Sequence, residues 1–299
     1  MISDSIISYS RLLIGQLREA GRIRTAETYE SSVRSFLRFL DTGDAPLTII
    51  SSATVRRYQD WLHEKGKRPG TISFYLRTLR AFYNHAVADD LISDIHPFRK
   101  AYTGMPETSK RALSLDELKR IKNFEIRKAD VAMEFARDMF LMSFYLRGAA
   151  LIDLAFMRKC DIRGGRIEYR RRKTGKLLSF EWTPEMHGLA KKYHNPDSPY
   201  IFPIITSAYA PLRSFRSCSQ KINRSLRRLA SLLKIRSGHL TFYSARHTWA
   251  SLARDAGVPI NVISAGMGHS SEATTRIYLT SLDSGIIDRA NAGLINLLK

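Results

Sequence analysis

The sequence predicts a protein that is mainly α with a small β-sheet or hairpin, divided into two domains. Three observations predict this. Helical patterns fill the first hundred residues with no strand signal between them, a polar stretch containing Gly and Pro breaks the pattern near residues 97–111, and the apolar period changes once, near residue 164.

The helices of the first domain can be read in order. An apolar periodic segment runs from Ile6 to Leu17. Thr25 is placed to cap a second helix with Tyr29, Val33, Phe36, Leu37 and Leu40 on its inner face, and Ser51 or Ser52 to start a third bearing Tyr58, Trp61 and Leu62. After a turn at Arg68-Pro69-Gly70, a fourth helix presents Ile72, Tyr75, Leu76, Leu79, Phe82, Tyr83 and Val87. The expected domain is a small helical bundle over residues 1–104. Its basic residues, Arg56, Arg77 and Arg80 among them, stand on outward faces where they can meet phosphates.

The second domain is expected over 105–299. Ser114-Leu-Asp-Glu117 has the spacing of a capping box, and an apolar helix from about Ala129 to Leu146 should end at Arg147-Gly148. A short helix then carries Leu151-Ile-Asp-Leu154. Gly164-Gly165 introduces an extended run Arg166 to Arg170, a Lys173-Thr-Gly-Lys176 turn and a second run Leu177 to Trp182. A helix from about Ser214 to Ile235 turns Ile222, Leu226, Leu229 and Leu233 inward and Arg224, Arg227 and Arg228 outward.

Composition narrows the partners. The chain has 299 residues, enough for two cores, and a formal charge of +20. Residues 1–105 hold 15 Lys and Arg against 11 Asp and Glu, and residues 106–299 hold 33 against 17, so the second domain carries most of the field. Such an excess points to a polyanion, nucleic acid above all, rather than a small-molecule substrate or a membrane. No apolar run approaches the roughly 20 residues of a membrane span, and the N-terminus lacks the segments of a secretory signal, which suggests a cytoplasmic protein. The two cysteines, Cys160 and Cys218, have no companion spacing for zinc and read as reduced thiols without a catalytic role.

The most informative stretch is Tyr243-Ser-Ala-Arg246-His247, followed by Gly266-Met-Gly-His269 and by Tyr278 nine residues later. Upstream stand Phe144-Tyr-Leu-Arg147-Gly and the Lys173-Thr-Gly turn. In order and spacing these boxes resemble the tyrosine recombinase, or phage integrase, family across the whole second domain. The first domain resembles that family's helical core-binding domain.

The resemblance implies an α+β tyrosine-recombinase catalytic domain that closes with the core-binding domain as a C-shaped clamp on double-stranded DNA. It also implies a homotetramer on two recombination sites, exchanging strands through a Holliday junction, and no cofactor. Arg147 and Arg246 would bind the scissile phosphate, which suits guanidinium because it donates paired hydrogen bonds and stays charged. Lys173 would protonate the leaving 5′ oxygen, His269 would hydrogen-bond the phosphate or orient the tyrosine, and Tyr278 would be the nucleophile that forms a 3′-phosphotyrosine. Arg170, Arg171, Arg172 and Lys176 would follow the DNA backbone, and His247 would support the arginine from behind.

Two positions depart from the family pattern. Tyr243 stands where a histidine is usual, and a phenol is a poorer proton acceptor than imidazole. Ala150 stands where an acidic residue is common; Asp153, three residues on, is the available carboxylate, to orient the site or to cap the core. These departures make an impaired DNA-binding protein of the same fold one alternative, against which the five other matched residues argue. A relaxing enzyme of the type IB topoisomerase kind is another, against which the short layout argues. The bundle begins at once, leaving little room ahead of it for an arm-type DNA-binding domain. That favours a simple recombinase, inverting or belonging to a mobile element.

Overall fold

The computed structural model describes residues 4–104, 112–207, 209–236 and 240–269. The chain divides into two compact units, Met1–Thr108 and Ser109–Lys299, each with its own core.

Among the described residues the first unit is built of helices, α1 (Ile6–Glu19), α2 (Ile23–Leu40), α3 (Ser52–Glu64) and α4 (Pro69–Ala88), with a 3₁₀ turn at Leu47–Ile49. Its core draws one stripe from each helix, among them Tyr9, Leu13, Val33, Phe36, Tyr58, Leu62, Ile72, Leu76 and Phe82. Ser51 caps α3, its Oγ accepting from the Thr54 N–H at 3.2 Å. Thr25, by contrast, caps nothing. The second helix starts a turn earlier, because the Arg22 carbonyl already accepts from the Ala26 N–H, so Thr25 lies inside it. Arg68-Pro69-Gly70 is not a separate turn either. Pro69 is the first residue of α4, where its missing N–H costs nothing. The chain also stays folded past Pro97, since Phe98 is buried in this core and the Tyr102 N–H donates to Gln59 Oε1 at 2.9 Å.

The second unit is built on α6 (Val131–Tyr145), a helix buried along most of its length and packed against α9 (Pro211–Leu232), α10 (Ser244–Asp255) and α8 (Pro184–Lys192). The short helices α5 (Leu115–Asn123), α7 (Leu151–Phe156) and α11 (Ile260–Gly266) also belong to it. The Ser114 capping box forms in both directions: the Glu117 N–H donates to Ser114 Oγ at 3.1 Å, and the Ser114 N–H to Glu117 Oε2 at 2.9 Å. On α9, Ile222, Leu226 and Leu229 are buried, while Arg224, Arg227 and Arg228 face outward.

The β element is a three-stranded antiparallel sheet rather than a lone hairpin. β1 (Ile162–Arg163) pairs with β2 (Arg166–Arg170), which pairs with β3 (Leu177–Glu181), Arg170 opposite Leu177. The extra strand is only two residues long, too short to show a period. Gly164 and Gly165, both left-handed (φ +54° and +71°), make the tight turn between β1 and β2. Ile167, Tyr169, Leu178 and Phe180 line the buried face of the sheet. Among the described residues, no helix is long and apolar enough to cross a membrane.

Candidate active site

The site begins where α6 ends. Ser143 closes the helix through its Oγ, which donates to the Ala149 carbonyl at 2.7 Å, while the Gly148 N–H returns to the Ser143 carbonyl at 2.7 Å. Arg147 and Gly148 are both left-handed, at φ +54° and +77°, and reverse the chain in two residues. For arginine that conformation costs about 1 kcal/mol or more, so the surrounding packing has to hold it there. The half-buried Arg147 guanidinium lies over the Phe180 ring, 4.8 Å from its centroid, which fixes the plane of its donors. Gly148 has no room for a side chain. A Cβ there would stand 2.5 Å from the Arg246 Cα.

Arg246, on the first turns of α10, is 3% exposed. Its Nη1 donates to the Gly148 carbonyl at 2.9 Å and its Nη2 to the Met267 carbonyl at 2.7 Å. Nη2 also lies 2.7 Å from His269 Nε2. A guanidinium can only donate, so Nε2 accepts and the imidazole proton belongs on Nδ1. Burial pushes the His269 pKa down to about 4, helped by the neighbouring Arg246, Arg171, Lys173 and Lys176. His269 is therefore neutral at physiological pH, and its neutrality is what lets it hold Arg246.

The loop carrying His269 passes through a narrow gap. A Cβ on Gly266 would meet Trp249 at 3.2 Å and Arg147 Cδ at 3.4 Å; one on Gly268, at φ +66°, would meet Leu178 at 3.0 Å. Those contacts account for the two glycines that flank Met267.

The hairpin meets the same loop. Arg171 and Lys176 close the turn between β2 and β3, the Arg171 N–H donating to the Lys176 carbonyl at 2.9 Å. The Arg171 side chain then donates through Nη1 to the Gly268 carbonyl at 2.9 Å, and Lys176 Nζ lies 3.5 Å from the His269 carbonyl. The Arg172 N–H donates to Asp153 Oδ1 at 2.9 Å, and the Arg172 guanidinium stacks 4.0 Å over Phe156. Asp153 is 4% exposed. Burial pushes its carboxyl above the usual range, with Arg171, Arg172 and Arg246 pulling the other way.

The structure thus gathers Arg147, Arg246, His269 and the Lys173 turn at one place in the second unit. Lys173 is exposed and, among the described residues, makes no hydrogen bond or ion pair. Tyr243 precedes α10, 43% exposed, with its ring edge-on to His247 at 5.0 Å. Tyr278 lies outside the described residues. Arg170 donates to the Gly175 carbonyl at 3.3 Å, so all four basic residues flanking Lys173 have contacts within the domain. In the first unit Arg56 and Arg80 are exposed, whereas Arg77 is half-buried, its Nε donating to the Ser73 carbonyl at 3.3 Å. Sequence reasoning missed the Gly148 and Met267 carbonyls and the Phe180 ring. Carbonyls carry no residue-type signal, but a glycine directly after Arg147 was a visible sign of close approach.

Arg147, the buried Arg246 and the neutral imidazole of His269 thus lie together, with Lys173 near enough to act on the imidazole's charge state, and paired guanidinium donors are the groups that suit a phosphate. Residues 112–284 match the Phage integrase family and residues 5–103 the phage integrase SAM-like domain. Tyrosine recombinase XerD of Rhizobium meliloti (strain 1021) is 28% identical over 291 residues, covering 88% of this chain and 87% of that protein. In fold the chain resembles a lambda integrase dimer bound to a COC′ core site (TM-score 0.69, 20% identity, 93% of this chain and 98% of that one). A lambda integrase tetramer bound to a Holliday junction is similar too (TM-score 0.66, 19% identity, 92% and 77%). The chain belongs to the phage integrase family and is a tyrosine recombinase, an enzyme that recombines DNA by strand transesterification.

Proposed function

We propose that this recombinase cuts each strand of its site through Tyr278, with Arg147 and Arg246 holding the non-bridging oxygens of the scissile phosphate. The phenol oxygen attacks phosphorus and its proton leaves to solvent. A phosphotyrosine bond forms at the 3′ end while the bond to the 5′ oxygen breaks, and Lys173 supplies that oxygen's proton. The 5′-hydroxyl of a partner strand then reverses the steps. Bond energy is kept in the phosphotyrosine, so exchange is nearly isoenergetic. His269, neutral and accepting from Arg246, would set the plane in which Arg246 meets the phosphate, and Tyr243, just before α10, would supply a phenol donor to it.

The observation that carries this reading is the Arg246 junction. One buried guanidinium is tied to the Gly148 carbonyl beside Arg147 and to the Met267 carbonyl and ring of His269, which brings three of the matched boxes together. A first domain, residues 1–104, would bind DNA through Arg56, Arg77 and Arg80, and a second, 105–299, would carry the chemistry. As with the lambda integrase tetramer on a Holliday junction, four copies would assemble on two sites, in the cytoplasm, in the service of a mobile element.

A nicked suicide duplex made from the DNA flanking its own gene tests the reading. Wild type should form a denaturation-resistant covalent adduct that Tyr278→Phe abolishes. Absence of an adduct from the wild type would overturn it, and relaxation of plasmid without site dependence would favour a topoisomerase instead.

A further inference from the structure

We propose that the groove between α1 and α2 is a docking site for an acidic amphipathic helix of another protein. The proposal is independent of the chemistry assigned to Tyr278 and Lys173, because every residue it uses belongs to the first unit.

A short connection joins the two helices, and a groove of about 530 Å³ runs along their seam. Its floor is apolar, drawn from Ile7 and Ile14 of α1 and from Val33 and Leu37 of α2. Gly15 lines it too. A glycine inside a helix weakens that helix relative to alanine, and a close backbone approach or a left-handed φ is what ordinarily requires one. Neither holds here: Gly15 has no positive φ, and a Cβ on it would meet no atom within 4 Å. What its missing side chain provides is depth in the groove.

The rim is cationic. Arg11 and Arg18 of α1 and Arg34 and Arg38 of α2 all line the groove and are exposed. Glu30 bridges Arg18 at 3.1 Å and Arg34 at 2.9 Å, and exposed pairs of this kind are weak enough to be traded for others. Arg11 and Arg38 make no hydrogen bond or ion pair among the described residues. Asp44 lies near Arg11, but its carboxylate already accepts from the Ile7 and Ala45 N–H groups.

An apolar floor between two rows of arginines narrows the choice of occupant. Duplex DNA can meet the arginines, yet its charged backbone has nothing apolar to lay against Ile14 and Leu37. A second copy of a chain charged +20 would bring its own positive field. A helix with apolar residues at i, i+3 or i+4 and i+7, flanked by carboxylates, matches floor and rim together. From Ile7 to Arg18 the groove follows α1 for about 16 Å, long enough for about three turns of such a helix. Arg56, Arg77 and Arg80 do not line it, so a partner held there leaves those residues to DNA.

The test is fluorescence anisotropy of the full chain with a labelled synthetic peptide of about four helical turns, bearing leucines at that spacing and glutamates on both flanks. A scrambled peptide of the same composition is the control. Wild type should bind the amphipathic peptide about 10-fold or more tighter than the scrambled one. Gly15→Leu fills the groove with a good helix former, so it should melt at or above wild type, form the Tyr278 adduct on the suicide duplex as wild type does, and lose about 10-fold or more in peptide affinity. Replacing Arg11 and Arg38 together by glutamine should cost about 3- to 10-fold, less at high salt. Equal binding of the two peptides, or a Gly15→Leu protein that binds as wild type does, would reduce the groove to a basic surface and overturn the proposal. If Gly15→Leu weakens binding of the flanking duplex as much as binding of the peptide, the groove belongs to DNA. If wild type dimerises without DNA and Gly15→Leu does not, it belongs to a second copy. Either result overturns the partner helix and leaves the reading of the catalytic site untouched.

Discussion

Two parts of the site hold their cations in opposite ways. Arg246 is buried and bonded to the Gly148 and Met267 carbonyls and to His269, so its guanidinium is part of the fold. Lys173 stands exposed on a hairpin tip, and its neighbours, rather than the lysine itself, are tied down. The difference follows from the work each would do. A group that receives a phosphate has to be oriented before DNA arrives, whereas a proton donor has to reach an oxygen that appears only as the bond breaks. Stability and catalysis should therefore be inseparable at the first position and separable at the second.

The largest effect is expected at Gly148. Alanine there adds a Cβ 2.5 Å from the Arg246 Cα on a residue already at φ +77°. Backbone cannot give way as a flexible side chain can, so Gly148→Ala should lose about 2–4 kcal/mol in urea unfolding and form no adduct. An active Gly148→Ala of unchanged stability would break the comparison at its strongest point.

Arg246→Met is next. It removes the charge but leaves the Gly148 and Met267 carbonyls buried without their donor, at about 1–3 kcal/mol each, so its stability should fall and its adduct vanish together. Arg246→Lys keeps a charge, yet one ammonium cannot span both carbonyls with the planar fork of arginine. It should regain part of the stability and little of the cleavage.

His269 gives a smaller effect, visible in pH. Its folded pKa is lowered to about 4 against about 6.5 when unfolded, so between those values the unfolded chain binds the extra proton. The contribution of neutral His269 to stability is complete above about pH 6.5 and is lost as pH falls towards 4. Thermal melts of the DNA-free protein should thus show wild type declining more steeply across that window than His269→Gln. Parallel curves would mean that the imidazole is not held neutral by its setting.

How much of this could be read beforehand divides along the same line. The helices of both units were legible because each buries a stripe at helical spacing, and the Ser114 capping box because its residues are local. Arg147, Arg246 and His269 stood in recognisable boxes. What the boxes could not convey is their mutual bonding, since Arg246 is held mainly by backbone carbonyls, and any residue type has one. Strand β1 escaped because two residues show no alternation, and the start of α2 because Arg22 caps it without a side-chain bond. Asp153 was visible as a carboxylate near the site. Its partner, the Arg172 N–H, follows from the hairpin's placement and from no pattern in the chain.

The smallest effect on the fold, and the sharpest test of the comparison, is Lys173→Ala. The side chain is exposed and makes no hydrogen bond or ion pair among the described residues, so its removal should leave the melting temperature within about 2 °C of wild type. Loss of a general acid nonetheless costs about 10² to 10⁴ in rate, so the cleavage defect should be severe in a protein that melts and binds DNA normally. One further consequence follows from its surroundings: Lys173 is among the charges that hold the His269 pKa down, and its removal should move the low-pH decline in stability slightly upward. A Lys173→Ala protein that melts well below wild type would place the lysine inside the fold with Arg246, and the two cations of the site would then be held in the same way.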